Sequence, residues 1–404
     1  MTSDQGCEGE MPPLKNLQVV DLSRVLAGPY CAQLLADMGA DVIKIESPSG
    51  DENRLWGERD EDGISCNFAS VNRGKRSLTL NLKHEAASEI LHPLVRQADV
   101  VVQSFLPSTA AKLGVDAATL RAVNPDIIHC SISGYGERGE LFDRPGYDLM
   151  MQAFSGVMSI TGHEDDGPVR AGTSFIDMTT GLNAYSGILT ALIARSKGAG
   201  GASVRVSLLE TAVSLLGYNA VAWLQTGVLP RREGSGVWHL VPYQAFMCSD
   251  QFILAGATND VAWRRFCTAL GCDEYALDER FVTNDMRLAN RAVLVPLLEE
   301  RFRAHPVQHW IDHFEANGIA VSPVNTLNQF LTHPQVIANE MVIEARKEDG
   351  RATKVLGMPF KVSNGPMADV LAAPKLSAHT DAVLRERLGM DDRRIGELRA
   401  RGVF

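Results

Sequence analysis

Hydrophobic and polar positions along the first third of the chain form blocks that predict strands followed by helices. Residues 17–23 (LQVVDLS) are rich in β-branched side chains, residues 27–40 (AGPYCAQLLADMGA) have apolar positions at helical spacing, and residues 41–46 (DVIKIE) are β-rich again. The alternation recurs from residue 75 (KRSLTLNL) to the apolar run at 126–133 (DIIHCSIS). Parallel strands joined by helices predict an α/β fold with a doubly wound sheet covered on both faces.

The pattern becomes helical in the middle of the chain and then changes. Residues 173–194 (TSFIDMTTGLNAYSGILTALIA) are apolar and poor in charge, and residues 210–225 (ETAVSLLGYNAVAWLQ) predict a long helix. Residues 228–236 (VLPRREGSG) combine proline, glycine and charge, which is typical of a linker. Beyond the linker, residues 242–257 (PYQAFMCSDQFILAGA) predict strands around a turn.

Composition and charge exclude several classes of protein. The net charge of -10 and the isoelectric point near 5.5 argue against a partner such as nucleic acid or an anionic membrane. The start of the chain lacks a signal-peptide pattern, and no apolar run is long enough to span a bilayer. Seven scattered cysteines form no C-x-x-C pair, which favours reduced thiols in a cytoplasmic protein.

Asp177 is the only Asp, Glu, Lys or Arg between Arg170 and Arg195, and it stands where an apolar helix begins. One interpretation is a helix N-cap, with Thr179 and Thr180 suited to the same terminus. The other is catalytic, because a helix N-terminus would keep the carboxylate ionised and available as a nucleophile at neutral pH. The two interpretations are compatible.

Two motifs invite functions that their context argues against. Residues 134–139 (GYGERG) match the dinucleotide fingerprint, but Pro145 and Gly146 follow too closely for a helix to open there. His309 and His313 lie four residues apart, yet Trp310 stands where a zinc protease has glutamate, and no third ligand is evident. We therefore predict neither a nicotinamide or flavin site nor a metal site.

A basic cluster precedes the third predicted strand. Residues 72–76 (NRGKR) are either a solvated turn or an anion site, and the sequence leaves both open. Arg24 and Lys112 follow other predicted strands. Because ligands of open α/β sheets bind in the crevice at the carboxyl ends of the strands, these cations strengthen the anion-site interpretation if their loops converge.

Taken together, residues 21–51 (DLSRVLAGPYCAQLLADMGADVIKIESPSGD), VNRGKRSLTLNL, SGYGERG and PVRAGTSFIDMTTGLNAYSGILTALIAR resemble the class III coenzyme A transferases, the family of formyl-CoA and carnitine-CoA transferases. The resemblance continues through VPYQAF and HTDAVLRERLG, so it covers nearly the whole chain after Pro12. The segment EGSGVWHLVPYQAF lacks the glycine-rich loop of formyl-CoA transferase and is more similar to the succinyl-CoA:glutarate (hydroxymethylglutarate) branch.

The resemblance implies an organisation as well as an activity. It implies an interlocked homodimer whose Rossmann-like large domain, with a mostly parallel sheet, is built from both chain ends, with a smaller α+β domain between them. We divide the chain accordingly into a disordered tail (1–13), the first part of the large domain (14–222), the linker and small domain (223–330) and the return to the large domain (331–404). The implied reaction moves CoA from an acyl-CoA, such as succinyl-CoA, to a free carboxylic acid, and needs no cofactor beyond coenzyme A.

The resemblance also implies roles for individual residues. Asp177 takes the place of the catalytic aspartate, which attacks the thioester and forms covalent aspartyl intermediates. The residues that take the family's CoA-binding positions are Val25, Ala27, Lys75, Arg76, Phe105 and Lys112. At two of these positions the chain departs from formyl-CoA transferase, since Ser104 replaces an asparagine before the phenylalanine and Lys112 replaces an arginine, which loses the bidentate fork.

Three residues are candidates for the acceptor acid. Arg24 suits the distal carboxylate of a dicarboxylate, although a CoA phosphate contact and a structural ion pair are alternatives. His239 and Tyr147 are the others. Tyr147 also bears on the rival function, an α-methylacyl-CoA racemase, because that reaction needs a histidine base where this chain has the tyrosine. A CoA-binding protein without turnover is the remaining alternative.

Overall fold

The computed structural model describes residues 11–363 and 369–404. Most of the predicted disordered tail, residues 1–10, lies outside the described residues. The strands are β1 Gln18–Asp21, β2 Asp41–Glu46, β3 Lys75–Thr79, β4 Val100–Gln103, β5 Ile128–Ser133, β6 Ala202–Ser207, β7 Tyr243–Met247, β8 Phe252–Gly256, β9 Ser322–Pro323, β10 Val342–Arg346 and β11 Ala352–Leu356.

Helices alternate with the first six strands and predominate afterwards. They are α1 Ala27–Asp37, α2 Cys66–Ala69, α3 Ala87–Gln97, α4 Pro107–Leu113, α5 Ala117–Val123, α6 Asp148–Phe154, α7 Val157–Ile160, α8 Phe175–Ala194, α9 Leu208–Thr226, α10 Asp260–Leu270, α11 Asp273–Leu277, α12 Asn284–Ala289, α13 Arg291–Phe302, α14 Val307–Ala316, α15 Leu327–Leu331, α16 Pro334–Ala338, α17 Thr380–Leu388 and α18 Asp392–Ala400. Among the described residues, no helix is both long enough and apolar enough to cross a membrane.

The first six strands form one parallel sheet in the order β3-β2-β1-β4-β5-β6. Alternate side chains on each strand point to opposite faces, so Val19 packs in one core with α1 and α8, while Val20 packs in another with α3 and α17. This confirms the predicted α/β fold with a sheet buried on both faces. The strand order reverses direction between β1 and β4, which is where such sheets bind ligands.

The described chain divides into two compact units. The first contains the described residues up to Ser155 together with Ala171–Ala220 and Ile337–Phe404. The second contains Gly156–Arg170 and Val221–Val336. The sequence placed residues 156–170 in the large domain. In the structure they belong to the second unit, where Arg232 donates hydrogen bonds to the carbonyl oxygens of Ser159 and Asp166.

The second unit has its own core and sheet. β7, β8 and β9 form an antiparallel sheet, and the strands predicted on either side of a turn are therefore confirmed. Its core is aromatic: Phe302 stacks on Phe246 and Phe314, with ring centroids 4.6 and 5.8 Å apart. A second antiparallel pair, β10 with β11, belongs to the first unit.

Glycine interrupts the helical structure at two places. Residues 107–123 form two helices, α4 and α5, because Gly114 adopts φ 67 and ends α4 in a left-handed cap. Gly217 adopts φ 48 and ψ -124, a non-helical conformation that kinks α9 without ending it. Both positions carry conformations that an L-residue with a side chain adopts only at a cost.

Candidate active site

The loops that follow β1 and β4 meet at the point where the strand order reverses. The backbone N–H of Arg24, in the loop after β1, donates a hydrogen bond of 3.0 Å to the hydroxyl of Ser104, the first residue after β4. The Arg24 guanidinium lies 5.3 Å from the centre of the Phe105 ring. The structure therefore brings Arg24 and Phe105 together, as convergence of the carboxyl-end loops requires.

The Arg24 side chain is exposed in this loop. It makes no ion pair with any described residue, so the described part of the chain offers no support for the structural ion pair that was one alternative for this residue. An exposed guanidinium held over an aromatic ring is available to a carboxylate or a phosphate.

The backbone of the same loop is strained at Val25, which has φ 68. A β-branched residue is a genuine outlier in this region, and such strain persists only where surrounding contacts fix it. Here the side chain of Asp51 accepts a hydrogen bond from the Val25 N–H, and the side-chain amide of Asn53 donates one of 2.9 Å to the Val25 carbonyl. Ala27 follows as the first residue of α1 and is buried.

Asp177 lies near the start of α1. It is the third residue of α8, and α8 packs closely on α1 because a Cβ at Gly181 would lie only 2.5 Å from the carbonyl oxygen of Ala27. Asp177 stands one turn before Gly181 on the same face of α8. The chain thus places this carboxylate at the same edge of the sheet as Arg24 and Val25.

The N-cap interpretation of Asp177 is wrong. Ser174 occupies the N-cap position of α8, and the carboxylate that caps the helix belongs to Asp148, the first residue of α6. Oδ2 of Asp148 accepts hydrogen bonds from the backbone N–H groups of Ile176 and Asp177, at 2.8 and 3.1 Å. Thr179 bonds back to the Phe175 carbonyl of the preceding turn and does not cap the helix either.

The charge state expected for Asp177 also changes. A helix start was expected to keep this carboxylate ionised, but burial and the adjacent negative charge of Asp148 raise the pKa of Asp177 to about 7. The N–H groups of Ile176 and Asp177 bond to Asp148 and therefore do not offset these two causes. Asp177 is 7% exposed, no described residue donates a hydrogen bond to its carboxylate, and its oxygens are not fully enclosed.

Lys75 occupies a different environment from the one predicted. Its side chain is fully buried, and its ammonium group donates to Asp21 (2.9 Å), to Asn72 (2.9 Å) and to the carbonyl oxygen of Pro29 (2.7 Å). With its three hydrogens used, it has none left for a phosphate. The predicted phosphate contact of Lys75 is therefore wrong.

The Arg76 guanidinium also binds carboxylates of the protein itself. It forms ion pairs with Asp41 and Glu386, at 2.6 and 2.9 Å. Lys75 and Arg76 begin β3, so their backbone lies at the amino end of that strand, opposite the end that faces the crevice. The buried Lys75 side chain extends from there to Asp21 and Pro29.

One cation at the carboxyl edge of the sheet, Lys83, was not among the predicted site residues. Lys83 is exposed and follows the carboxyl end of β3 by four residues. The predicted position of β3 was enough to identify Lys83, because the carboxyl end of a parallel strand, and not its start, faces the crevice. Lys112, the other predicted phosphate contact, is exposed on α4, the helix that follows β4 and Phe105.

The remaining candidates are distributed between the two units. Tyr147 is 44% exposed and immediately precedes Asp148 in the first unit. His239 is exposed in the second unit, where its ring meets the Trp238 ring edge-on at 5.1 Å. Nothing in the structure tests the predicted acceptor contact of either residue.

The two motifs set aside at the outset have structural explanations. Gly136 and Gly139 adopt positive φ in a turn, and the next helix opens only at Asp148, nine residues beyond the motif. His309 and His313 stack face to face, with ring centroids 4.0 Å apart. Across residues 11–363 and 369–404, no cluster of His, Cys, Asp and Glu is arranged to hold a metal ion.

Comparison with known proteins shows the family of this chain. A family model for CoA-transferase family III matches residues 14–380. The chain therefore belongs to this family and is a CoA-transferase.

Individual relatives agree with the family assignment along nearly the whole chain. Succinyl-CoA:glutarate CoA-transferase of Homo sapiens is 36% identical over 392 residues, which cover 97% of this chain and 90% of the relative. Acetyl-CoA:oxalate CoA-transferase of Acetobacter aceti is 35% identical over 377 residues, covering 93% and 95%. A crystal structure of a CaiB/BaiF family protein from Brucella suis is 37% identical and superposes with a TM-score of 0.85, covering 94% of this chain and all of that one.

Proposed function

We propose that this CoA-transferase moves CoA from succinyl-CoA to a short dicarboxylic acid, with Asp177 as the nucleophile. The observation that carries the proposal is the state of Asp177. It is a nearly buried carboxylate at the carboxyl edge of the sheet, reachable from solvent and without a hydrogen-bond donor among the described residues. A carboxylate with neither a donor nor a cation to stabilise its charge is a stronger nucleophile than a solvated one.

The proposed reaction runs through covalent intermediates on this carboxylate. An oxygen of Asp177 attacks the thioester carbonyl, the C–S bond breaks, and CoA leaves as a thiolate. The thiolate then attacks the aspartyl carbonyl of the mixed anhydride, which releases the donor acid and forms an aspartyl-CoA thioester. Repeating both steps in reverse with the acceptor acid gives the new acyl-CoA and regenerates Asp177. Each step exchanges one activated acyl group for another, so no ATP, metal or further cofactor enters the proposal.

The CoA would lie across the carboxyl edge of the sheet. The strained Val25 and the first turn of α1 would face the pantetheine near Asp177, and Phe105 offers an aromatic surface to the adenine. Lys83 and Lys112 are exposed cations that follow β3 and β4, and we assign the phosphates to them. Lys75 and Arg76 have no place in this assignment.

Arg24 is the proposed contact for the distal carboxylate of the acceptor, because its guanidinium is exposed beside Phe105 and forms no ion pair within the described part of the chain. A guanidinium binds a carboxylate through two parallel hydrogen bonds. Two relatives are named for glutarate and for oxalate, which are both dicarboxylates of different length. These names support a dicarboxylate acceptor for this chain and leave its length to experiment. Tyr147 and His239 stay further candidates for the acceptor.

The racemase alternative lacks support in the geometry. That reaction needs two groups that exchange protons on opposite sides of the α-carbon. Tyr147 stands in place of the histidine, and the neighbouring carboxylate of Asp148 already accepts the N–H groups of α8. A non-catalytic CoA-binding role would not require a buried carboxylate that lacks a donor.

We also propose that the enzyme is an interlocked homodimer with a Rossmann-like large domain. The sheet order β3-β2-β1-β4-β5-β6 supports the second part. For the first part, large apolar side chains along α9 are exposed, including Tyr218 at 65% and Leu224 at 73%. Exposed apolar side chains grouped along one helix are typical of a protein interface.

The test is a transfer assay with a panel of acceptors. Wild-type enzyme with succinyl-CoA should convert glutarate or a shorter dicarboxylate to its CoA thioester, identified by mass spectrometry, and should convert acetate more slowly. Asp177→Asn should lose transfer by at least about 10³-fold while it still binds CoA in calorimetry. Near-wild-type turnover of this variant, or epimerised acyl-CoA as the only product, would contradict the proposal.

A further inference from the structure

The side chains of Asp148 and Gln152 are hydrogen-bonded to each other, and Asp148 holds the first turn of α8, which carries Asp177. Asp148 accepts the N–H groups of Ile176 and Asp177 through one carboxylate oxygen, Oδ2. Its other oxygen, Oδ1, accepts a hydrogen bond from the side-chain amide of Gln152, one turn further along α6. Both oxygens of Asp148 are therefore occupied, and its side chain has one orientation.

Gln152 also holds the segment that leads into α8. Its side-chain oxygen accepts a hydrogen bond of 2.9 Å from the backbone N–H of Ala171, and its amide group lies 3.5 Å from the carbonyl oxygen of Thr173. The side chain is 1% exposed, so these contacts are not exchanged for water. Gln152 thus connects α6 directly to the segment before α8, and through Asp148 to the first turn of that helix.

We propose that Gln152 is a positioning residue of the active site, which keeps Asp148 turned toward the first turn of α8 and so holds the Asp177 carboxylate in place for attack on the thioester. This inference rests on the proposed function of Asp177. It goes beyond that function because Gln152 touches neither substrate nor the reacting carboxylate. Its effect passes through Asp148.

The arrangement has a chemical consequence as well as a geometric one. A glutamine amide donates to Asp148 without supplying a charge that would offset the effect of Asp148 on Asp177, whose pKa is raised by burial and by Asp148. The same hydrogen bond keeps Asp148 from turning toward Asp177 and sharing a proton with it. Such sharing would neutralise part of the nucleophile's charge and present a second acid–base group to the substrate.

A substitution by glutamate separates this role from a purely structural one. In Gln152→Glu, the introduced carboxylic acid has the shape of glutamine while it is protonated, so it donates to Asp148, accepts from Ala171 and keeps the geometry. Once the introduced acid ionises, two carboxylates face each other and the contact breaks. The titratable groups beside this pair include Asp177, whose backbone N–H bonds to Asp148, and Tyr147, which immediately precedes Asp148.

The experiment compares kcat against pH for the wild type, Gln152→Glu and Gln152→Leu. Wild-type kcat should rise through a pH of about 7 and then stay level. Gln152→Glu should match the wild type near pH 6 and fall roughly 10-fold below it near pH 9. Gln152→Leu should lose about 10-fold or more at every pH, with the KM for acyl-CoA changed less than about threefold.

A matched control is Gln33→Glu. Gln33 is also 1% exposed in the first unit, and its side-chain oxygen likewise accepts a backbone N–H, from Arg73, at 3.1 Å. This variant should lower the melting temperature without adding a falling limb to the kcat profile. A falling limb in Gln33→Glu as well, or a Gln152→Glu profile with the wild-type shape, would overturn the positioning role.

Hydrogen exchange measures the contact independently of turnover. Exchange of the peptide that covers residues 171–177 should be faster in Gln152→Leu at all pH values, and in Gln152→Glu only at high pH after correction for intrinsic rates. If wild-type enzyme transfers no CoA while these exchange changes occur, the proposed function fails and the contact stands. If the wild type transfers CoA and neither exchange nor the kcat profile responds, the positioning role fails alone.

Discussion

Two groups of buried charges in the first unit have opposite compositions. The paired cluster consists of Asp21, Lys44, Asp51 and Lys75, with two cations for two carboxylates and all four side chains fully buried. The carboxylate pair consists of Asp148 and Asp177 and contains no cation. The paired cluster lies near the start of α1, and the carboxylate pair lies near the start of α8. Only the paired cluster contains cations that balance the charge of its carboxylates.

The paired cluster supports the loop that carries Arg24 and Val25. Lys44 donates to the carbonyl oxygen of Ser23, Asp51 accepts the N–H of Val25, and Lys75 holds Asp21 at the end of β1. Burial alone would raise the pKa of Asp21, but the charges of Lys75 and Lys44 and the Ser23 hydroxyl hold it below its usual value. The cluster is thus a scaffold beneath the site.

The carboxylate pair has the opposite electrostatics. Burial and the charge of Asp148 both disfavour ionisation of Asp177, and no donor from the described residues compensates. The comparison teaches that burial of a charge does not by itself indicate a function. A buried charge with all its hydrogen bonds satisfied is structural, whereas one left without partners and reachable from solvent is a candidate for chemistry.

The largest expected effect on stability comes from the paired cluster. Lys75→Met leaves Asp21 buried without its cation, and removal of one partner from a buried pair costs about 3–5 kcal/mol. Urea denaturation measures the change in the free energy of unfolding. Arg76→Gln, which breaks partly exposed pairs, should cost at most about 1 kcal/mol. A Lys75→Met variant with wild-type stability and a raised KM for CoA would return Lys75 to the phosphate site.

A smaller effect of opposite sign is expected from the carboxylate pair. The pKa of Asp177 is raised in the folded protein, so its protonated form favours folding, and that stability is lost as pH rises from about 4 through about 7. The asparagine side chain of the Asp177→Asn variant cannot ionise, so the variant keeps this contribution to stability at high pH. The variant should therefore be more stable than the wild type at pH 8 by on the order of 2–4 kcal/mol, and equal to it near pH 4.

Denaturation curves at pH 4, 6 and 8 check this expectation. Asp165→Asn, at an exposed position in the second unit, is the control and should leave the difference between pH values unchanged. An Asp177→Asn variant that is less stable at pH 8 would mean that the carboxylate is stabilised in the fold, and it would remove the distinction between the two charge groups.

The contrast also explains which parts of the molecule the sequence could predict. Periodicity is local, so the parallel sheet, its covering helices and the strands at residues 242–257 followed from runs of β-branched and apolar residues. The end of α4 at Gly114 could also have been predicted from the sequence, because glycine is the usual residue of a left-handed helix cap. The lone position of Asp177 in an apolar segment singled out a carboxylate that is 7% exposed and lies beside Asp148.

The surroundings of Lys75 and Asp177 could not be predicted from the sequence, because they depend on partners distant along the chain. Lys75 pairs with a carboxylate 54 residues away, and the N–H of Asp177 is bonded to one 29 residues away. Local pattern therefore left Lys75 open between a solvated turn and an anion site, and Asp177 open between a cap and a nucleophile. The burial of Lys75 and the capping of α8 by Asp148 both depend on these distant partners. The direction of β3, which places Lys75 at one end and Lys83 beyond the other, was implicit in the sequence.

The smallest expected effect concerns Arg24, a charge that belongs to neither buried group. Its guanidinium is exposed over Phe105 and has no ion-pair partner among the described residues, so its removal should leave stability within about 0.5 kcal/mol of the wild type. If it binds the distal carboxylate of the acceptor, Arg24→Leu should lower kcat/KM for a dicarboxylate by roughly 10-fold or more and for acetate by less than about threefold.

Arg24→Lys separates charge from geometry in the same assay. Lysine keeps the positive charge but not the planar fork, so this variant should recover part of the lost activity toward dicarboxylates and remain below the wild type. Equal losses for dicarboxylate and acetate in Arg24→Leu, together with a raised KM for succinyl-CoA, would instead assign Arg24 to a CoA phosphate. In that case the crevice between β1 and β4 would bind CoA without contacting the acceptor, and selection of the acceptor would depend on Tyr147 or His239.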